Sequence, residues 1–296
     1  MAVTLMKYEG SHLSPDLTVG DRTCNQLQRG EEPEALRFLA ERPIHTVFMA
    51  TLIQDNGAIS PNNRGVFYVC RNRSKKIEGI ALVGHATLAE ARNDYAVAAF
   101  AQLAAHGQDA YLIRGERDTV ETFWSHYSED GQKARLVCRE MLFEIGKRTP
   151  SFEPVSELRP ATLREAEHAI EINAQLAAEE AGNSQLQRDP AGVRARMERR
   201  INQNRVWIWM RDGKAIFKAD VVGDTPEMAY LEGIHVHPDY RNKGYGKRCL
   251  LQLSSILLRR SRSICLTINE RRANVVAFYT KAGFEYHSKY ETIYLR

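Results

Sequence analysis

A strand, a glycine-bearing turn and a helix follow one another between residues 228 and 259, and no other stretch limits the possible folds as tightly. The apolar run 228–236 leads into Arg241-Asn242-Lys243-Gly244-Tyr245-Gly246, and the helical pattern 246–259 follows at once. Gly244 and Gly246 remove side chains where the chain must turn closely and tolerate positive φ. Lys247 and Arg248 come next, and seven Lys or Arg with no Asp or Glu lie between Arg241 and Arg262. Such a turn offers free backbone N–H groups, close approach and the positive end of a helix, which together suit a pyrophosphate. A Gly-x-Gly alone is commonly only a turn, so the neighbouring residues carry the argument.

The chain has 296 residues, enough for two domains at roughly 100–200 residues each. It has no run near the ~18 consecutive apolar residues of a membrane span, so no membrane partner is expected. The first twenty residues lack a basic stretch followed by an apolar one, and carry Glu9, His12 and Asp16 instead, which predicts a cytoplasmic protein. The five cysteines, an odd number without C-x-x-C spacing, read as buried free thiols rather than as a metal site or disulfides. A net charge of +4 is too small to point to nucleic acid, which is not expected as a partner.

Residues 1–30 read as an extended or poorly ordered lead-in. Residues 34–40 and 44–53 read as helices broken at Arg42-Pro43, and 65–70 with 78–83 as a hairpin. A helix (95–105), a strand (110–113), a helix (119–127) and a strand (134–145) follow. The stretch 149–154 reads as a linker, which sets the domains at 31–150 and 151–296. The second half begins with a strand ending at Thr162 as helix cap, then a helix with apolar residues Leu163, Ala166, Ala169, Ile170 and Ile172 at helical spacing. A helix capped by Asp189 with Pro190 in its first turn reaches about residue 202. The runs 206–210 and 215–222 flank Asp212-Gly213, a hairpin signal. Strand 264–268, helix 273–282 and a terminal strand 284–295 complete the order. Both halves run helix, hairpin, helix, strand, helix, strand, a weak internal repeat.

Val236-His237-Pro238-Asp239-Tyr240-Arg241-Asn242-Lys243-Gly244-Tyr245-Gly246 resembles the V-x-P-x-x-R-x-x-G-x-G motif of the GNAT superfamily of acetyltransferases. Downstream, Asn274, Tyr279 and Gly283-Phe284 resemble that family's second pattern. The resemblance covers residues from about 155 to 296. It implies an α/β (α+β) fold of two GNAT-like domains, each a mixed, mostly antiparallel sheet flanked by helices. The first half has no R-x-x-G-x-G after its hairpin, so it reads as a degenerate copy without a coenzyme loop.

The resemblance further implies acetyl-CoA as co-substrate, no metal, and an amine acceptor whose identity stays open. Arg241, Asn242, Lys243, Gly244, Tyr245, Gly246 and Lys247 would hold the pyrophosphate. Main-chain N–H groups near Ile234, His235 and Val236 would bond the pantetheine arm, where strands 228–236 and 264–268 part, and Asn274 would bond it as well. Tyr279 stands where the family places its general acid. With reference pKa values of about 10 for Tyr and 8.5 for a thiol, full proton transfer is uphill by about 2 kcal/mol, so hydrogen bonding to the departing sulfur is the expected role. Glu232, with Tyr230 on its face by strand alternation, is the candidate base. His235 and His237 fall on the opposite face unless a bulge reverses the parity.

Glu179 and Glu180, in the connection reaching Ser184, either bind a cationic amine or sit in water. Trp207 and Trp209 read as core. Two other readings stay open: a non-catalytic acyl-CoA-binding regulatory module, and an aminoacyl transferase of tandem GNAT type using tRNA. Whether a homodimer forms is also open.

Overall fold

The computed structural model describes residues 16–19, 22–107, 110–147, 149–182 and 189–296. They form two compact units, one of residues up to Arg139 together with Lys289–Arg296, the other Glu140–Ser288.

The first unit carries helices α1 (Glu32–Leu39), α2 (Pro43–Asn56), α3 (Asp94–Ala105) and α4 (Arg117–Tyr127). Its strands run in the order β1 (Asp16–Val19), β2 (Arg22–Gln26), β3 (Gly65–Arg71), β4 (Ile77–Gly84), β5 (Ala86–Ala91), β6 (Leu112–Glu116). Neighbours are antiparallel except β5 and β6, which are parallel. One core lies between the sheet and α1–α2, with Leu39, Ile53, Phe67 and Leu82, and another under α3–α4, with Phe100, Ile113 and Phe123.

The expected lead-in over residues 1–30 is corrected by β1 and β2, which join the sheet through Cys24 opposite Cys70. Cys24 is buried and is the one apolar residue of β2, and a strand with a single apolar position has too little period to show. Residues 1–15, 20 and 21 lie outside the described residues.

In the second unit the strands run β8 (Arg159–Pro160), β9 (Val206–Arg211), β10 (Lys214–Asp224), β11 (Met228–Val236), β12 (Ser263–Asn269), then β7 (Ala134–Ile145) from Glu140 onward. Asp212 and Gly213 both take positive φ, 49° and 73°, as the tight turn between β9 and β10 demands. Strand alternation divides the side chains between two cores. Val206 and Ile208 meet Ala169, Ile170, Met197 and Ile201 of α5 (Ala166–Ala181) and α6 (Pro190–Asn202). Trp207 and Trp209 face the opposite core, with Phe217, Leu231 and the Leu250, Leu253 and Leu257 side chains of α7 (Tyr245–Leu257). Among the described residues no helix is long and apolar enough to cross a membrane.

The unit boundary departs from the expected division at 150. It falls inside β7, whose residues from Glu140 pair with β12. The last strand, β13 (Glu285–Leu295), supplies Tyr290–Tyr294 as the antiparallel neighbour of β6. Each unit's sheet is therefore completed by a strand from the other half of the sequence. Alternation shows that a strand exists and which face is apolar, but not which edge receives it.

Thr162 ends β8's extension as expected, and a short 3-10 turn (Leu163–Glu165) precedes α5. The Glu165 carboxylate accepts from the Thr162 N–H (2.7 Å) and hydroxyl (2.8 Å), and pairs with Arg159 at 3.0 Å. Burial pushes the Glu165 pKa up, but these bonds outweigh it and hold the group at about 2. A depressed folded pKa stabilises above the unfolded value, near 4.5, and that stabilisation drains away as pH falls toward 2. Glu165→Gln accordingly loses about 2 kcal/mol at pH 7 and almost nothing near pH 2, as urea unfolding at the two pH values will measure.

Candidate functional site

β11 and β12 begin as a parallel pair, Met228 opposite Ser263, Ala229 opposite Ile264 and Tyr230 opposite Cys265, and there the ladder stops. From Leu231 onward β11 pairs only with β10, while β12 continues against β7 to Asn269. The two strands part, leaving a gap edged by the main chain of residues 231–236.

At the end of β11 the chain makes a 3-10 turn (Pro238–Tyr240) and enters the loop. Arg241 Nε donates to the Val236 carbonyl (3.1 Å) and Lys243 Nζ to the Asp239 carbonyl (2.8 Å), so both cations brace the turn. Asn242 and Gly244 take positive φ, 60° and 80°, and Gly244 is the N-cap of α7 with no side chain bonding the exposed amides. Among the described residues, the first α7 amide to find a carbonyl is that of Arg248, which donates to Gly244 (3.1 Å). The first turn of α7 holds no acidic residue, and Lys247 is exposed. A helix end of this kind attracts anions through its free N–H groups and its dipole.

The two glycines prove to have different tasks. A Cβ at Gly244 would meet nothing within 4 Å, so that position is set by its backbone conformation. At Gly246 a Cβ would stand 2.8 Å from Val236 Cγ2, so this glycine lets α7 pack against the end of β11. Tyr245 rests edge-on against Trp209, ring centroids 5.1 Å apart, which anchors the start of the helix to the core.

Tyr279 lies on α8 (Ala273–Lys281), 8% exposed, against Phe278 and Phe284. Burial, with a smaller push from Glu180, raises its pKa well above the ordinary phenol value. The group is therefore a proton holder and hydrogen-bond donor at neutral pH. Asn274 is exposed in the first turn of α8, whose cap position belongs to Arg272, so its side chain is no helix cap.

Glu232 Oε1 accepts a bond from the Tyr230 hydroxyl at 2.7 Å, and the Tyr230 hydroxyl oxygen also lies 3.4 Å from Thr267 Oγ1 on β12. The side chain of the candidate base is thus fixed at the point where the strands separate. In the β10–β11 ladder Lys218 faces His235 and Asp220 faces Glu232, so one extra residue on β11 bulges between them. Gly233, with φ 59°, occupies that bulge. The bulge reverses the strand's parity and puts Glu232 and His235 on one face, not two. Burial, aided by the charges of Arg241, His237 and Lys218, lowers the His235 pKa to about 4, so the ring is neutral at pH 7.

On the acceptor side, Glu179 accepts from Gln175 Nε2 (3.1 Å) and lies 4.0 Å from Arg272, while Glu180 is exposed. Asn183 and Ser184 lie outside the described residues. Among the described residues no group of three or more His, Cys, Asp or Glu is arranged to hold a metal ion. Lys218 and Asp220, which the sequence presents as part of an apolar run, are the polar residues that sequence reasoning missed. Their two-residue spacing on a strand was the available signal.

The first unit has a counterpart of each element and fills it differently. β5 and β6 pair in parallel only at Ala86–Leu112 and Thr87–Ile113. Beyond that point Arg42 of α2 reaches Glu90 on β5 (3.2 Å) and Glu116 on β6 (2.7 Å). The helix after β5, α3, is capped by Asn93, whose Oδ1 accepts from the Ala96 N–H (3.1 Å), and Asp94 stands in its first turn. An occupied cap and a carboxylate make that helix end a poor anion site.

A family model described as an acetyltransferase (GNAT) domain matches residues 202–286. Comparison with curated proteins found no match. Among solved structures, a Drosophila protein is 12% identical with a TM-score of 0.67, covering 92% of this chain and 98% of that one. A tandem GNAT protein from the clavulanic acid biosynthesis pathway is 14% identical with a TM-score of 0.54, covering 92% and 98%. An acetyltransferase of the GNAT family from Colwellia psychrerythraea is 10% identical with a TM-score of 0.53, covering 92% and 99%. At these identities the likeness is one of fold. Residues 202–286, which hold the parted strands, the glycine loop and α8, thus form a GNAT acetyltransferase domain.

Proposed function

We propose that the unit Glu140–Ser288 transfers an acetyl group from acetyl-CoA to a primary amine by direct attack in a ternary complex. The observation that carries the reading is the set of unbonded amides at the uncapped, acid-free start of α7, beside the gap between β11 and β12. Those amides, with Lys247, hold the pyrophosphate, and the free edge of residues 234–236 takes the pantetheine arm and polarises the thioester carbonyl. Glu232 removes the amine's proton, directly or through water. As the carbon–nitrogen bond forms and the carbon–sulfur bond breaks, the Tyr279 hydroxyl donates a hydrogen bond to the departing sulfur. Its raised pKa makes complete proton transfer costlier still, which favours the hydrogen-bonding role.

The first unit, its gap spanned by Arg42 and its α3 end capped by Asn93, takes no coenzyme. Calorimetry is expected to return one acetyl-CoA per chain. The five cysteines, none of them in a disulfide, fit a reducing cytoplasm.

The test is thiol release from acetyl-CoA across a panel of primary amines: glycine, L-lysine, spermidine, glucosamine and an unblocked dipeptide. Tyr279→Phe lowers kcat by about 10–100-fold, the worth of one hydrogen bond to a charged group, and leaves acetyl-CoA affinity unchanged. Binding without turnover on any amine would favour the regulatory module. Heat protection by tRNA and none by acetyl-CoA would favour aminoacyl transfer and overturn the coenzyme assignment.

A further inference from the structure

Lys218 is wholly buried and Asp220 is 1% exposed, on the sheet face that turns Val206 and Ile208 toward α5 and α6. Lys218 Nζ lies 2.6 Å from Asp220 Oδ2 and donates to Asn173 Oδ1 on α5. Asn173 Nδ2 donates to the same carboxylate oxygen at 2.9 Å, and Arg200 of α6 stands 3.5 Å from it. Asp220 Oδ1 accepts no hydrogen bond among the described residues. Burying such a pair brings little or no net stability, because an apolar pair of similar volume commonly serves the fold as well or better. Stability therefore does not explain it.

Its position does. A Cβ at Gly233 would stand 2.7 Å from Lys218 Nζ and 2.8 Å from Asn173 Oδ1, so the cluster lies directly beneath the bulge. Lys218 and Asp220 face His235 and Glu232, the residues on either side of it. We propose that Lys218, held by Asp220 and Asn173, is a positioning residue for acyl transfer. It fixes the Gly233 bulge and, through it, the aim of Glu232 and of the main chain at residues 234–236. The inference rests on the acetyltransferase reading of this site.

The charged and titratable groups around this spot are Lys218 and Asp220 on β10, Arg200 on α6, Glu179 on α5, and Tyr230, Glu232 and His235 on β11. Arg241 and His237 lie just beyond the strand. The Lys218 charge acts on Glu232 as well as on Asp220.

The decisive variant is Lys218→Met/Asp220→Leu, which replaces the pair by apolar side chains. A purely structural pair predicts native behaviour. Positioning predicts a melting temperature at or above that of the native protein, with amide hydrogen exchange at Ile234 and His235 at least tenfold faster. On any amine that reacts, kcat falls at least tenfold while KM for acetyl-CoA stays within threefold. Native exchange rates in the double variant, or a kcat within twofold of native, overturn the proposal. Should that variant not fold, Asn173→Ala takes its place with the same exchange and rate criteria. A native protein that binds no acetyl-CoA would sink the acetyltransferase reading instead, and the exchange comparison would still decide the role of Lys218.

Discussion

If the α7 start holds acetyl-CoA as proposed, Gly244→Glu is expected to bind it at least about thirty times more weakly than the native chain, in a protein that keeps its fold. The position is open, with nothing within 4 Å of a Cβ, so the new side chain meets no neighbour. Its backbone sits at φ 80°, which charges a non-glycine residue about 1–2 kcal/mol. That strain is present with and without ligand and cancels in the affinity. The carboxylate does not cancel. A like charge about 5 Å from the pyrophosphate, in a partly exposed setting, opposes binding by about 2 kcal/mol, or thirtyfold. Gly244→Ala separates the two effects: it shares the backbone strain and should bind within about threefold of native. Raising the salt concentration should narrow the gap for the glutamate variant and leave the alanine variant unmoved. Equal calorimetric affinities for the native chain and Gly244→Glu would show that the coenzyme is held elsewhere.

How much of this was legible beforehand depends on the distance over which each feature is decided. The loop is local. A residue at φ 80° beside a helix start calls for glycine, and cations that bond carbonyls four or five residues away leave a mark in a single short stretch. The Asp212-Gly213 turn and the Asp189 cap, which accepts from the Gly192 N–H at 2.9 Å, are local for the same reason. The exchange of β7 and β13 between the units is not local, since a strand with alternating faces fits any free edge of suitable register. Nor was the bulge at Gly233. Counting by twos along β11 gives the wrong face for His235, and only the ladder to β10 shows where the extra residue sits. Lys218 escaped notice because a buried cation inside an apolar run looks like a solvated interruption until its partners, two residues along the strand and on a distant helix, are placed beside it. Short β5 was hidden as well, because its alanine-rich run carries no β-branched signal beyond Thr87.

The larger effect is expected of Glu232→Gln. Glutamine keeps the size of the side chain and an oxygen to accept from the Tyr230 hydroxyl, so the contact at the parting of the strands survives. What it loses is the ability to take a proton. General-base assistance is typically worth 10²–10⁴-fold, and kcat should fall by about 10²–10³, with acetyl-CoA affinity within threefold of native. The pH profile of the variant then reports the acceptor. A lysine-like amine, with a reference pKa of about 10.4, is almost wholly protonated at neutral pH, and exposing its free form costs roughly 4–5 kcal/mol. An α-amine near 8 costs only about 1–2 kcal/mol. With the base removed, the rate on a lysine-like amine should climb about tenfold per pH unit through pH 9, as solvent supplies the deprotonated amine. On an α-amine the climb should level off near pH 8 and the loss at neutral pH should be smaller. A Glu232→Gln enzyme with native kcat and a native pH profile would reduce the carboxylate to a structural partner of Tyr230, and the proton would have to leave by another route. Tyr230→Phe sharpens the distinction: it removes the hydroxyl that fixes the carboxylate and spares the base, so it should weaken kcat by about tenfold without bringing the steep pH dependence.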